Sequence, residues 1–525
     1  MTSFTQMIRP LLYSTLFAIT VTGSSATAQS SDPIIPSANK DSFFITTWKT
    51  DNNGITNDNQ IQIHIEGAPI VDWGDGTIEQ LTKGSHTHTY EAPGTYQISF
   101  TSDITRFFFP NPEQDNDKLL TVQQWGHAKW STMSLAFYDA NNVQLFATDK
   151  PDLSNTESMY AMFFRASSFN ADLSDWNVSN VTNMAYLFRE ATSFSSDLSN
   201  WNVCNVTDMR FMFAGIDATN FNLQNWCVNS VETMAAMFRE ARINSDLNHW
   251  NVSNVTNMAF MFWGVDNLDA DLSDWNVGQV KNMAHMFKYA VNFNNDLSRW
   301  NVVNVTDMNS MFYRADRFNA DLSQWQVANV TDMSEMFKNT QSFNSDLTHW
   351  NVANVTDMSE MFQGAVAFKG DLSDWVFTQD TDKKLTMHNM FFGVDTTESG
   401  LAHWNVSNVD DMSGMFREAY INQDINHWNV SKVTDMSTMF MGVKTFNADI
   451  SQWDIRQVEN MASMFDFSGL SSMQYDAILN SWYTLGRLQS DVVLGALDVH
   501  YTQSSATARS FIERNFNWVI GGTLE

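Results

Sequence analysis

The stretch DLSDWNVSNVTNMAYLF at residues 172 to 188 returns as DLSRWNVVNVTDMNSMF at residues 296 to 312. The spacing of Trp and Met is kept, while the residues between them change. The stretch is one unit of a long repeat in which Trp recurs in steps of about 25 residues, at 176, 201, 226, 250, 275, 300, 325, 350, 375, 404, 428 and 453. A constant period of this size is typical of a solenoid, in which every unit is one coil stacked on the next.

A second marker, the first Met of an M-x-x-M-F motif, follows the same rhythm from residue 159 to residue 461. Met133, followed by Ala136 and Phe137, looks like a degenerate first copy, so the array holds about fourteen coils between residues 118 and 467. One coil buries too little apolar surface to offset its loss of conformational entropy. We therefore expect the Trp, Met and Phe side chains of successive coils to form one continuous apolar core.

The unit also predicts local structure. We expect a short strand at DLSDW, because parallel stacking would pair this segment with its copies in neighbouring coils. Thr182 fits the N-cap of a following helix, and Met184, Leu187 and Phe188 would share one helical face. The sequence thus predicts an α/β solenoid with one short parallel strand and one short helical turn in each coil.

The N-terminus reads as a secretory signal peptide at residues 1 to 28, with Arg9, an apolar run from Leu11 to Val21, and a small-residue stretch ending at Ala28. We therefore expect an exported protein that is extracellular, bound to the cell surface or periplasmic. The apolar run is too short to span a bilayer, and we expect no membrane insertion. A linker is predicted at residues 29 to 40.

The formal net charge of −30 narrows the range of partners. An acidic surface repels phosphate backbones and anionic lipid headgroups, so we expect neither a nucleic-acid partner nor a membrane-surface role. Such a surface would suit high salt, divalent cations or a basic partner.

Repetition turns each position of the unit into a column of identical side chains. The Asp before the strand Leu recurs at 172, 197, 246, 271, 296, 321, 346, 371, 424 and 449. We expect these carboxylates to accept hydrogen bonds from nearby backbone N–H groups, with a row of Ca²⁺ sites as the alternative, since that ion prefers oxygen ligands. The Asn column after Trp should likewise satisfy backbone groups at a turn. We predict no other cofactor and no catalytic residue.

Four aromatic residues depart from the residue types that are usual in their columns. Phe260, Trp263, Tyr289 and Tyr313 lie beside the M-x-x-M-F positions of successive coils, where other coils carry small or charged residues. They form a candidate ligand-contact patch for protein or glycan, and packing against adjacent loops is the alternative.

Cys204 and Cys227 are the only cysteines of the chain. Their offset within the repeat gives an estimated separation of about 8 Å, beyond the ~7 Å that a disulfide spans. We expect free or buried thiols, although a looser turn would allow a disulfide.

The repeat pattern FNADLSxWNVSNVTDMSxMF resembles the BspA-like family of bacterial surface proteins, also known as the DUF285 repeat, a divergent branch of the leucine-rich repeats. The resemblance covers residues 118 to 467 and implies a leucine-rich-repeat-like stack of coils. Residues 468 to 525 look like the α/β cap that closes such arrays. Residues 41 to 117, with VDWGDGTIEQ followed by HTHTYEAPGTYQISF, are similar to PKD-type modules, which implies a small β-sandwich.

The resemblance implies attachment or recognition at a cell surface, with a protein or a glycan as partner and no chemistry. From it we expect an exported, non-enzymatic, monomeric protein that binds through an extended surface. The alternatives are an enzyme acting on acidic polysaccharide, which would need a local cluster of charged residues, and a purely structural envelope spacer.

Overall fold

The computed structural model describes residues 40 to 525, except 219, 220, 269, 379, 381, 397 and 422. The predicted signal peptide lies outside the described residues, as does the predicted linker apart from Lys40.

Within the described residues there are two α-helices, α1 (Ser472–Leu485) and α2 (Ala506–Phe516). Short 3-10 turns cover Lys40–Ser42, Asn116–Lys118 and Leu401–His403. The strands up to the first repeat are β1 (Phe44–Lys49), β2 (Gln60–Gly67), β3 (Ile70–Asp72), β4 (Ile78–Gln80), β5 (Gly84–Thr89), β6 (Thr95–Phe100), β7 (Ile104–Phe107), β8 (Leu119–Gln124) and β9 (Gln144–Leu145). The later strands are β10 (Asp217–Ala218), β11 (Arg242–Ile243), β12 (Leu385–Thr386), β13 (Val409–Asp411), β14 (Val493–Leu494), β15 (His500–Tyr501), β16 (Val519–Ile520) and β17 (Thr523–Leu524).

The N-terminal part consists of two sheets. One sheet has the order β4-β3-β6-β1-β8-β9 and the other β5-β2-β7. Buried and partly exposed residues alternate along β1 and β2, and the ring of Trp48 on β1 lies 6.0 Å from that of Phe107 on β7, so the sheets pack against each other. Strand β8 pairs antiparallel with β1 and parallel with β9, which lies in the first repeat. The first sheet therefore leads directly into the array.

Each repeat contains a series of tight turns where a helix was expected. We call the seven residues that begin at the first Met of each M-x-x-M-F motif the turn segment; residues 184 to 190 are one example. The N–H of Met184 donates to the carbonyl of Asp208 in the next coil at 2.9 Å, whereas the N–H of Leu187 donates to the carbonyl of Met184 in its own coil at 3.2 Å. Single parallel bridges such as Asn183 to Asp208 accompany these bonds. Successive repeats are therefore joined by backbone hydrogen bonds along the whole array.

The prediction of an α/β solenoid, with a strand and a helical turn in each leucine-rich-repeat-like coil, is wrong. Both described α-helices lie after residue 471. The third and seventh residues of every turn segment have positive φ, as in Tyr186 at 61° and Glu190 at 60°. Left-handed residues interrupt a right-handed helix, and the N–H groups released in this way bond to the next coil instead.

The strand expected at DLSDW is absent for a related reason. The Trp176 N–H donates to the carbonyl of Leu173 at 3.1 Å, and the Asp172 carboxylate accepts from the Ser174 N–H at 2.9 Å. These two bonds close a tight turn, and a backbone that turns this sharply cannot run as an extended strand.

The apolar positions of the repeat are buried, and this part of the prediction is confirmed. Trp300 is 3% exposed, and Met308 and Phe312 are fully buried. Equivalent rings stack from coil to coil, as in Phe287 and Phe312, whose centroids lie 5.7 Å apart. The apolar core runs without interruption from the N-terminal sheets to the C-terminal helices.

Cys204 and Cys227 form a disulfide, with their Cα atoms 4.8 Å apart. The expectation of free thiols about 8 Å apart is therefore wrong. The Cys204 N–H donates to the side-chain oxygen of Asn202 at 3.2 Å. This turn folds the chain back, so that sequence offset does not measure the distance to the neighbouring coil.

The C-terminal part continues the stack. Leu494 of β14 bridges in parallel to Met461 of the last repeat. Helix α1 begins after Ser471, whose hydroxyl accepts a hydrogen bond from the Gln474 N–H. Strand β14 pairs in parallel with β16, and β15 pairs in parallel with β17. Trp482 of α1 is buried, and the apolar core of the repeats continues past it as far as Ile520.

Candidate functional site

The structure brings the four predicted patch residues together. Phe260 and Trp263 are the third and sixth residues of one turn segment, and their ring centroids lie 6.1 Å apart. Tyr289, in the next segment, lies 6.3 Å from Trp263, and Tyr313, one segment further, lies 5.3 Å from Tyr289. All four side chains are half-buried. They form a continuous row, which we call the aromatic ridge.

Two cations that the sequence interpretation did not name cover this ridge. The Arg239 guanidinium lies 3.6 Å from the ring centroid of Trp263, and the Lys288 ammonium lies 4.2 Å from that of Tyr313. Arg239, Trp263, Lys288, Tyr313 and Lys338 are the sixth residues of five successive turn segments. Cations and rings thus alternate from coil to coil, which keeps like charges apart and gives each cation a ring to contact.

A carboxylate completes the cluster. Glu335 lies 3.5 Å from the Lys288 ammonium and 3.2 Å from that of Lys338, and it accepts a hydrogen bond from the Ser310 hydroxyl at 2.6 Å. Burial raises the pKa of the Glu335 carboxyl, but Ser310 and the lysines outweigh burial and lower the pKa overall. Glu335 is therefore ionised and paired at neutral pH.

His285 extends the ridge on its other side. Its imidazole stacks on the ring of Phe260, with the centroids 4.3 Å apart. Burial, together with the charge of Lys288, lowers the pKa of His285 to about 4. The imidazole is therefore neutral at physiological pH and acts as one more flat ring in the row.

A second cluster lies on the same side of the array, nearer the N-terminus. Tyr186 and Phe211, the third residues of two successive turn segments, stack with their centroids 4.8 Å apart. The Arg189 guanidinium lies 4.9 Å from the ring of Phe211 and 5.1 Å from that of Phe164. Aligning the repeats on their first Met would have revealed these residues, because they occupy the same two positions as Phe260 and Trp263.

We call residues two, three, six and seven of the turn segments the turn face, because all charged side chains at these positions are exposed or half-buried. Its basic residues number eight: Arg165, Arg189, Arg210, Arg239, Lys288, Arg314, Lys338 and Arg417. Its acidic residues number seven: Asp139, Glu190, Glu240, Glu335, Glu360, Glu418 and Asp466. The turn face is thus nearly neutral in a chain of net charge −30. The negative charge of the array lies on its other surfaces.

The Asp column acts as predicted. In all ten positions the carboxylate accepts a hydrogen bond from the backbone N–H two residues later. Hydrogen bonds from the side-chain hydroxyl and the backbone N–H of the residue two positions later lower the pKa of Asp172, Asp271, Asp296 and Asp346. Among the described residues, no group of three or more His, Cys, Asp or Glu side chains is arranged to hold a metal ion. The column is explained by turn formation alone.

The Asn column after Trp also satisfies backbone groups, as predicted, with Asn177 accepting from the Ser179 N–H at 3.2 Å. The Thr residues do not cap helices: the Thr182 hydroxyl donates to the carbonyl of Glu157 in the preceding coil at 3.2 Å. A second Asn column went unnoticed, in which Asn180 donates to the carbonyl of Ser154 in the preceding coil at 2.9 Å. These polar columns link coils, whereas the residues of the turn face vary from coil to coil.

The comparisons with known proteins agree with the repeat. The sequence model of the family described as "Mycoplasma protein of unknown function, DUF285" matches residues 131–246, 240–335, 296–385 and 385–485, which together span more than half of the chain. No curated protein and no solved structure matches the chain. Residues before 131 lie outside these matches, and their resemblance to PKD-type modules stays a prediction. Within residues 40 to 525 as described, no helix is both long and apolar enough to cross a membrane.

Proposed function

The chain belongs to the DUF285 family, whose function is unknown, and from this premise we propose that it is an exported, non-enzymatic protein that binds a partner at the cell surface through its turn face. The partner is a protein or a carbohydrate. Export is proposed from the N-terminal sequence, and a monomeric state is part of the same proposal.

The aromatic ridge is the observation that carries this proposal. Aromatic and Arg side chains dominate the binding energy of protein interfaces. On the turn face such residues come from separate coils and form one row of contacts from Phe260 to Tyr313. The rest of the array presents turn-forming Asp and Asn residues whose hydrogen bonds serve its own backbone. The turn face is therefore a surface that varies between coils and is available for recognition.

The ridge favours a protein partner over a carbohydrate. Sugars are held by stacking on an open aromatic face, and one face of Trp263 already carries Arg239 at 3.6 Å while one face of Tyr313 carries Lys288 at 4.2 Å. A cation held on a ring keeps its other donors for carboxylates or carbonyls of a partner. We therefore expect the ridge to contact a protein surface that offers acidic or carbonyl groups beside apolar ones.

The charges of the ridge also favour binding over catalysis. A catalytic acid or base needs an ionisable group that is poised near neutral pH. Here Glu335 is paired with two lysines, and His285 has a pKa of about 4. The ionisable groups of the ridge thus hold one protonation state across the physiological range, as a contact surface requires.

The experiment is a pull-down against isolated surface proteins, run beside a glycan array, with the full chain as bait. The test variant combines Trp263→Ala with Tyr313→Ala. The control combines Val366→Ala with Val376→Ala, two residues that are 56% and 58% exposed and lie off the turn face. We expect a protein ligand that the control retains and the test variant loses by tenfold or more in affinity.

Other outcomes would contradict the proposal. Equal binding by the test variant would remove the ridge as the contact surface, and glycan binding without protein binding would reverse the preference for a protein. Turnover of an acidic polysaccharide by the purified chain would favour an enzyme. Thermal melting of both variants shows that any loss of binding is not a loss of fold.

A further inference from the structure

The charges of the turn face are unevenly distributed along the array. Seven successive turn segments, from residues 159–165 through residues 308–314, hold six of its eight basic residues and two of its seven acidic residues. The six cations are Arg165, Arg189, Arg210, Arg239, Lys288 and Arg314, and the two carboxylates are Glu190 and Glu240. We call the turn face of these seven segments the basic strip. It carries a positive net charge on a chain whose net charge is −30.

The turn face becomes acidic beyond both ends of the basic strip. It holds two basic and five acidic residues there, with Asp139 in the segment before the strip and Glu335 and Glu360 in the two segments after it. The column of residues just before the first Met changes in the same way, with Asp208 and Asp307 inside the strip and Asp332, Asp357, Asp411 and Asp435 beyond it. An acidic ligand is therefore attracted to the strip and repelled by the turn face on either side of it.

The basic strip also holds most of the aromatic residues of the turn face. Its rings are those of Tyr160, Phe164, Tyr186, Phe211, Phe260, Trp263, Tyr289 and Tyr313, whereas the other seven segments place three aromatic residues on the turn face. In the second cluster, the ring centroid of Tyr186 lies 5.5 Å from that of Tyr160 and 6.2 Å from that of Phe164. The last four rings form the aromatic ridge. Rings and cations thus occur together over seven coils.

Only small side chains separate the two groups of rings. Ala236 occupies the third position between Phe211 and Phe260, and Ala214 occupies the sixth position before Arg239. Both alanines are buried. No bulky side chain at these two positions blocks a partner that passes from one group of rings to the other.

The arginines of the second cluster keep donors for a ligand. Arg165 and Arg189 share one carboxylate, that of Glu190, at 2.9 Å and 3.0 Å. A guanidinium has five N–H donors, so a shared carboxylate leaves several of them for other acceptors. Arg210 is the exception, because both oxygens of the Asp208 carboxylate accept hydrogen bonds from it.

We propose that the basic strip binds an acidic polypeptide segment that also carries aromatic or aliphatic residues and lies along the array. This inference rests on the proposed function and extends its contact surface from the ridge to the strip. Adjacent coils of such a stack lie about 4.8 Å apart, so the strip is about 30 Å long and matches an extended segment of about nine residues. The acidic turn face at both ends fixes where that segment lies, which the repeated packing of the coils cannot do by itself.

The rings favour a polypeptide over an anionic polysaccharide. A sulfated or uronic polysaccharide would pair with the cations but would offer few apolar groups to the rings, and the acidic surface around the strip would repel the rest of a long anionic chain. Glu and Asp side chains can pair with the cations while neighbouring aromatic or aliphatic side chains cover the rings. A short acidic segment with apolar residues therefore satisfies both components of the strip.

The array contains a matched pair of sites for testing the strip. Phe164 and Arg189 are the sixth residues of two successive segments inside the strip, and the guanidinium lies 5.1 Å from the ring centroid. Phe392 and Arg417 are the sixth residues of two successive segments beyond it, with a distance of 5.0 Å. All four side chains are half-buried, and each arginine pairs with the glutamate that follows it. The two sites thus share their local geometry and differ in the charge of the turn face around them.

The probe is a short fluorescent copolymer of Glu and Tyr, titrated with the full chain at ~0.15 M salt and followed by fluorescence anisotropy. The parent protein should bind the copolymer, and binding should weaken as salt is raised. Phe164→Ala combined with Arg189→Ala should lose roughly fivefold or more in affinity, because a ring and a cation both leave the strip. The control, Phe392→Ala combined with Arg417→Ala, should bind as the parent protein does. If either double variant melts early, Arg189→Glu and Arg417→Glu form a second matched pair, of which only the first should weaken binding.

The inference is overturned if the parent protein does not bind the copolymer, if the Phe164 and Arg189 variant binds it as tightly as the parent, if the control loses as much affinity, or if heparin binds more tightly than the copolymer. The ridge variant with Trp263→Ala and Tyr313→Ala separates this inference from the proposed function. If that variant loses the protein found by pull-down while the Phe164 and Arg189 variant retains it, the contact is confined to the ridge and only the strip is refuted. Retention of that protein by both variants would overturn both proposals.

Discussion

The indole N–H of Trp300 donates a hydrogen bond to the backbone carbonyl of Leu272, 2.9 Å away in the preceding repeat. The same contact recurs with the equivalent carbonyl at Trp201, Trp226, Trp250, Trp275, Trp325, Trp350, Trp375, Trp404, Trp428 and Trp453. The Trp column therefore joins repeats through a polar bond as well as through buried area. This explains why Trp stands here where another large apolar residue would fill the same space.

Trp300→Phe tests this bond. The change removes the indole donor from the Leu272 carbonyl, which keeps the Trp275 N–H at 3.1 Å, and it opens a small cavity, so we expect a loss of about 1–3 kcal/mol in the free energy of unfolding, measured in urea. The matched control is Phe287→Leu, which shrinks a buried ring without removing a hydrogen bond and should cost less. If the two changes cost the same, the indole bond contributes nothing beyond packing.

The left-handed backbone of the turn segments can be tested at Gly393. This residue has φ of 72°, and a Cβ added there would meet no atom within 4 Å. Gly393→Ala should therefore cost about 1 kcal/mol through backbone strain alone. Gly278→Ala serves as the control, because Gly278 has no positive φ and its nearest neighbours are movable Asn side chains. Thermal melting should separate the two variants, and equal midpoints would argue against a strained backbone at Gly393.

The sequence predicted the buried residues better than the backbone that carries them. A fixed period places Trp300, Met308 and Phe312 in the same environment in every repeat, and the alternation at residues 95 to 100 matches strand β6. The prediction of a helical turn in each coil was wrong because the same spacing of apolar residues occurs in helices and in tight turns that stack on one another. One feature of the sequence did indicate a left-handed backbone instead of a helix: the seventh residue of the turn segment is Gly in five coils, at 215, 264, 364, 393 and 442.

The candidate site was predicted in part. The four aromatic residues were identified because they depart from their columns, and the structure places them in one row. Arg239 and Lys288 were missed because each column was read for a single residue type, whereas the sixth position alternates between cation and ring.

The buried pair of Asp115 and Lys118 should dominate the stability of the N-terminal sheets. Lys118→Met removes the cation and leaves the Asp115 carboxylate buried without a countercharge, which we expect to cost about 3–5 kcal/mol. Arg299→Met is the control, because Arg299 and Asp274 form an ion pair in which both side chains are 75% exposed. Such exposed pairs contribute about 1 kcal/mol or less. Urea unfolding followed by circular dichroism measures both changes, and similar losses would contradict a special role for the buried pair.

The disulfide between Cys204 and Cys227 closes a loop with a sequence separation of 23 residues. Chain-entropy arguments assign a cross-link of this length about 3 kcal/mol. The double variant Cys204→Ser, Cys227→Ser should therefore melt at a lower temperature than the oxidised chain. Reduction of the parent protein should lower its midpoint to that of the variant, and reduction of the variant should change nothing. Alkylation of both thiols in the untreated chain would show that the bond does not form.

His285 predicts a pH dependence with a definite sign. Its pKa is about 4 in the folded protein, below the ordinary value of 6.5. Burial is the largest cause, and the charge of Lys288 is the next, because both disfavour the imidazolium. Arg239 lowers the pKa further, whereas Glu335 raises it. Between these two values the unfolded chain binds a proton that the folded chain does not, so this residue destabilises the fold as the pH falls from 6.5 towards 4. His285→Asn, which suits the positive φ of 58° there, should lose less stability than the parent protein between pH 7 and pH 5. Urea midpoints at both pH values measure this difference, and parallel losses in the two proteins would show that His285 titrates normally.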